Sequence, residues 1–93
     1  MSTKAINNYL VRMGVKPTMR GFAQLGDAIK IIIDDNSAQY NLCKSVYVDV
    51  AKIHKSTYAQ VERNIRTAIQ STGCKQTNKE FIMVAVLVLS GNL

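Results

Sequence analysis

Apolar residues recur along this chain at the spacing of helix faces, and that period marks most of its elements. Ile6, Leu10 and Met13, joined by Tyr9, share one side of a helix predicted from about Thr3 to Met13. Gly14 follows where a left-handed residue closes a helix cheaply, and Val15–Pro17 is a short connector. Phe22, Leu25, Ile29 and Ile32 mark a second helix from about Thr18 to Ile33. Gly21 and Gly26 inside it each cost about 1 kcal/mol of helix propensity relative to alanine. Both are therefore expected where another backbone comes close. Asp34-Asp35-Asn36-Ser37 is a polar breaker that ends the segment.

Val46, Val48 and Val50 alternate as they would in a strand, yet Val46, Val50 and Ile53 also fit one helix face. The residues that follow decide for a helix. At the far end, Thr77-Asn78-Lys79-Glu80 is a capping box: the threonine oxygen accepts from the N–H three residues on, and the glutamate reaches back. It precedes the apolar run Phe81–Leu89, and Gly91 stands where a helix would stop. The β-branched residues of that run favour a strand weakly, and the cap outweighs them. This final helix, about 78–90, is apolar nearly all round, so it is either buried on every side or half of a dimer interface. The expected fold is all-α, a compact bundle of about five helices containing a helix-turn-helix. One domain accounts for residues 1–93.

The helix-turn-helix is expected at about 45–71, with its second helix at about 57–71. Such a motif needs a small residue where the two helices cross, supplied by Ala51, and ten residues later an apolar residue packing back, supplied by Val61. Ile65 and Ile69 extend the buried stripe. The polar turn Lys55-Ser56-Thr57 offers a hydroxyl to cap the second helix. Many such motifs place glycine in the turn, where this chain has Lys55.

With the stripe inward, Gln60, Glu62, Arg63 and Arg66 point outward. These residue types suit base edges: arginine bidentate to guanine, glutamine to adenine, glutamate accepting from the cytosine amino group. Lys52, Lys55, Ser56, Thr57 and Tyr58 flank the helix start, and Thr67 lies further along, as candidates for phosphate contact. The plain alternative is a solvated helix face, with Glu62 and Arg66 as an ordinary i, i+4 pair. Gln60 also has a second use, since Thr57-Tyr58-Ala59-Gln60 is itself a capping box and its side chain could fold back on the helix start. His54 suits packing or proximity to phosphate better than catalysis.

Charge supports the nucleic-acid reading. The chain carries 12 Lys+Arg against 6 Asp+Glu, a formal net charge of +6, which favours an anionic partner. The basic residues are not segregated opposite an apolar face, as a membrane-surface helix would require. Phe81–Leu89 is too short to span a bilayer, which needs about 20 apolar residues, and the N-terminus lacks the apolar run of a signal peptide. A cytoplasmic protein is expected. Cys43, Cys74 and the single His54 make neither a disulfide framework nor a metal site, and no cofactor is expected. No nucleophile–base pair, phosphate-binding glycine loop or paired carboxylates suggest an enzyme.

Four stretches in order carry a family likeness: Gly14-Val15-Lys16-Pro17 with Arg20-Gly21-Phe22, Leu25 and Ala28-Ile29; Val46-Tyr47 with Asp49-Val50-Ala51-Lys52; Val61 through Ile69; and Thr77 through Ile82. With these the chain resembles the C-terminal DNA-binding effector domain of the stage-zero sporulation protein A family, the master sporulation response regulator. The resemblance implies a helical domain that binds short DNA boxes as tandem copies and regulates transcription. It also implies base contacts from Glu62 and Arg63. Where the family typically has a guanine-reading arginine, just before the Val-Glu-Arg triplet, this chain has Gln60. The phospho-receiver domain that normally precedes the effector is not expected in this chain, nor is its phosphorylation switch. The family has a further helix, associated with contacting RNA polymerase, in the stretch that here is only about Gln70–Gln76. Its loss favours a repressor, a competitor or a phage- or plasmid-borne relative over an activator.

The leading expectation is thus a sequence-specific regulator of double-stranded DNA with no enzymatic activity. A homodimer through the final helix and a contact with RNA polymerase are its further candidate partners. The alternative is a protein–protein interaction module, a degenerate relative that binds a regulator or the polymerase and has lost DNA. If Gln60 reads a base, selection from a random duplex pool recovers a box shifted towards adenine at that position; recovery of the family's unaltered box would count against it.

Overall fold

The computed structural model describes residues 2–34 and 45–91. Five helices follow one another without a strand among the described residues: α1 (Thr3–Arg12), α2 (Arg20–Asp34), α3 (Tyr47–Ile53), α4 (Tyr58–Gln70) and α5 (Asn78–Leu89). The all-α bundle expected from the periodicity is the fold observed. Asp35, Asn36, Ser37 and Cys43 lie outside the described residues.

Local chemistry sets the helix ends. The Ser2 hydroxyl accepts from the Ala5 N–H at 3.2 Å and caps α1. That helix closes in a Schellman motif: Gly14 adopts φ +93°, its N–H donates to the Val11 carbonyl, and the Val15 N–H donates to the Leu10 carbonyl, each at 3.0 Å. Val15 is thereby turned into the core. Met13, expected on the buried stripe, is instead the C-cap of α1 and lies exposed. The helix has ended before the period returns to the core. At α5 the capping box forms in both directions: Thr77 Oγ1 accepts from the Glu80 N–H at 3.2 Å, and Glu80 Oε1 accepts from the Thr77 N–H at 3.1 Å.

α2 is the hub and packs against each of the other four helices. Leu25, Ile29 and Ile32 from α2 meet Ile6 and Leu10 from α1 and Ile65 and Ile69 from α4 in one buried cluster, which Phe81 and Ile82 of α5 complete. The closest crossing is α2 on α4. A Cβ added at Gly21 would stand 2.2 Å from the Asn64 carbonyl oxygen and 2.8 Å from Ala68 Cβ, so only glycine fits there. Gly26 was expected to mark a second such approach and does not. Its nearest neighbours, Asn7 and Ile6, would lie 3.7 Å from an added Cβ, an ordinary packing distance.

Two more expectations change. Ile53, placed with Val46 and Val50 on a buried face, is 60% exposed because α3 ends at it and the chain turns away. The uniformly apolar α5 is neither fully buried nor fully open. Phe81, Ile82, Ala85 and Val86 face the core while Leu87 and Val88 face solvent. No helix among the described residues is long and apolar enough to cross a membrane.

Two predictions follow from this packing. Gly21→Ala lowers unfolding stability by about 3 kcal/mol, the upper end of overpacking costs, whereas Gly26→Ala raises it by up to about 1 kcal/mol. Urea midpoints of the two variants test the contrast. The Thr77 backbone N–H, aided by the Thr77 side chain, holds the Glu80 carboxyl below the ordinary glutamate range. A lowered folded-state pKa contributes stability above the unfolded-state value and loses it as pH falls through the lowered one. Glu80→Gln therefore flattens the acid limb of the stability–pH profile, and superimposable acid limbs would rule this out.

Candidate nucleic-acid interface

α3, a tight turn and α4 form a helix–turn–helix unit whose geometry follows from three local features. The first is the end of α3. The Ser56 N–H donates to the Ala51 carbonyl at 2.8 Å and the Lys55 N–H to the Lys52 carbonyl at 3.4 Å. This is again a Schellman closure, and Lys55 occupies its left-handed position with φ +52°. The missing turn glycine thus changes the cost of the conformation and leaves the conformation in place. The second is Thr57, whose Oγ1 accepts from the Gln60 N–H at 3.2 Å and starts α4. The third is a clasp to α2: His54 Nε2 donates to Asp27 Oδ2 at 2.6 Å.

α4 buries Val61, Ile65, Ala68 and Ile69, the stripe expected of it with Ala68 added. Arg63 lies across the helix from that stripe at 100° per residue. It is exposed and makes no hydrogen bond or ion pair with the described residues. Gln60, Arg66 and Thr67 are also exposed, while Glu62 is half-buried. Gln60 does not fold back on the cap. It reaches forward, with Nε2 donating to Asn64 Oδ1 at 3.0 Å. Arg66 and Glu62 form the i, i+4 ion pair, their side chains 52% and 34% exposed.

The flanking candidates divide. Lys52 and Lys55 are exposed cations at the end of α3 and in the turn. Thr57 is exposed with its oxygen already engaged in the cap. Ser56 is half-buried. Tyr58 is half-buried too, its ring edge-on to that of Tyr47 at 5.6 Å between centroids and 65° between planes.

Three concavities border α4. One, over its first two turns, is lined by Thr57, Gln60, Glu62, Arg63 and Arg66 among others. A second, on the α2 side, includes Arg20, Lys55, Gln60 and Asn64. A third, towards the start of α5, includes Tyr58, Glu62, Arg66, Lys75 and Lys79. Cations therefore stand on the helix face and along both flanks. Among the described residues, Glu62 is the one carboxylate lining any of the three.

Sequence reasoning did not find Arg20, Lys75 or Lys79, which reach this surface from other elements. Nor did it find the Asp27–His54 clasp, which joins residues 27 apart, or the bond from Asn78 Nδ2 to the Glu62 carbonyl at 3.2 Å that ties α5 to α4. No local pattern signals contacts of that range.

An amphipathic helix presented by a short turn, with positive charge over its face and flanks, defines the class of helix-turn-helix nucleic-acid-binding domains. The protein-family model described as "Sporulation initiation factor Spo0A C terminal" matches residues 6–88, and the chain belongs to that family. The family is one of DNA-binding regulatory domains. The match runs from α1 to the last turn of α5.

The strained turn yields a measurable consequence. Lys55→Gly raises unfolding stability by about 0.5–1 kcal/mol, since glycine accepts the left-handed region that costs a lysine more. Thermal unfolding of the pure variant checks it, and a lower melting temperature would contradict it.

Proposed function

We propose that this protein is a sequence-specific, double-stranded-DNA-binding transcriptional regulator that inserts α4 into the major groove. The observation that carries the proposal is Arg63, exposed at the centre of the outward face and free of protein partners among the described residues. A helix with side chains is about 10–12 Å across and the major groove about 12 Å wide. A helix seated there has a phosphate backbone on either side, and the cations flanking α4 suit that placement.

Arg63 reads a guanine edge in this scheme. Gln60 exchanges its bond to Asn64 for an adenine edge, and Glu62 and Arg66 present an acceptor and a donor side by side. Lys52 and Lys55 meet phosphates, joined by Ser56, Thr57, Tyr58 and Thr67 at the rim of the helix start. The protein acts by occupying DNA and carries out no reaction, which also sets its place inside the cell. The exposed apolar residues of α5 are Leu87 and Val88, a small patch for a preformed α5 dimer, so copies pair on adjacent boxes instead. The short segment between α4 and α5 offers RNA polymerase little surface, which suits repression or competition.

Selection from a random duplex pool, followed by titration at several salt concentrations, tests the proposal. Arg63→Ala loses about 1–3 kcal/mol of discrimination at one base position, while Lys55→Ala weakens all sequences alike and reduces the salt slope by about one. Absence of salt-dependent binding to any duplex would sink the proposal and favour a protein–protein module instead.

A further inference from the structure

We propose that the pocket between the first turns of α2 and the start of α4 is a seat for one DNA backbone phosphate, built by Arg20 and Gln24 of α2 together with Lys55. The inference rests on the DNA-binding reading and extends the interface to a helix outside the helix–turn–helix unit. Gln24 is the telling residue. It is 5% exposed, the one buried polar residue among the described residues, and its Oε1 has no hydrogen-bond partner among them. No hydrogen bond within the described residues holds either end of this amide, so its Nε2 donor is free to turn to a ligand.

Its surroundings say which ligand suits that donor. Gln24 lines the pocket with Arg20, Lys55, Ser56, Gln60 and Asn64, and among the described residues no carboxylate lines it. The nearby Asp27 is engaged by His54. Two cations, a hydroxyl and amide N–H groups around one concavity suit an anion with several acceptor oxygens. The anion offers only acceptors, so Gln24 meets it with Nε2, and Oε1 stays turned away. Gln60 lines both this pocket and the outward face of α4. A duplex whose bases meet α4 therefore brings one of its strands over the pocket. Arg20 stands at the first position of α2, whose packing on α4 is fixed at Gly21. The phosphate seat and the base-reading face thus share one rigid frame.

Fluorescence anisotropy with a labelled duplex carrying the selected box tests this, using Arg20→Ala, Gln24→Met and, as a control on α1, Lys4→Ala. Arg20→Ala is expected to weaken binding about tenfold at low salt and lower the salt slope by about one phosphate, with the preferred sequence unchanged. Gln24→Met weakens binding about three- to tenfold while melting no lower than the wild type, since it removes an unpaired buried amide. A neutral methylphosphonate at one backbone position weakens the wild type and has no further effect on Arg20→Ala. Wild-type affinity and slope in both variants, with Arg63→Ala still losing its base position, would overturn the phosphate seat and leave the DNA reading intact. A response of the pocket to inorganic phosphate, without any methylphosphonate effect, would overturn it in favour of a free anion. Failure of the wild type to bind any duplex would overturn both.

Discussion

The fold depends on one place where two helices touch without side chains between them. At Gly21 the backbone of α2 lies against the Asn64 carbonyl and Ala68 of α4, closer than any Cβ allows. This contact sets how deeply α4 sits on the bundle, and hence which of its residues are sealed and which are left outside. Val61, Ile65 and Ile69 are buried, with Ala68 between them, because the helix can come this close. Arg63 stands clear for the same reason. The His54–Asp27 bond and the Asn78–Glu62 bond then hold the end of α3 and the second turn of α4 from two other elements.

What was legible in the sequence was what is local. The capping box at Thr77–Glu80, the closing glycine at Gly14 and the inward stripe of α4 are all encoded within a few residues, and each is formed as expected. Periodicity was least reliable near helix ends. Met13 and Ile53 continue the apolar pattern of their helices, but the chain leaves the helical path at those points and exposes them. Glycine inside a helix was ambiguous, since nothing in α2 alone distinguishes Gly21, against a backbone, from Gly26, beside ordinary side-chain neighbours. The polar surface was half legible. The outward residues of α4 could be counted off the helix, whereas Arg20, Gln24, Lys75 and Lys79 reach its flanks only through the tertiary arrangement.

At Lys55 surface charge and backbone preference are set against each other within one residue. The turn calls for a left-handed conformation that glycine would adopt more readily, and the chain places a cation there instead. The charge stands at the start of α4, on the wall shared with Arg20. A fold selected for stability alone would have little reason to keep it. The phosphate contact proposed for Lys55 would supply one.

The Glu62–Arg66 pair carries a consequence for how such a protein would search a genome. At rest the two side chains satisfy each other, so while the protein drifts along unrelated sequence neither is left seeking a base. On the proposed reading, the pair would open only where a base pair compensates both ends. Unrelated sequence would then be held through phosphates alone, leaving the protein free to move along it.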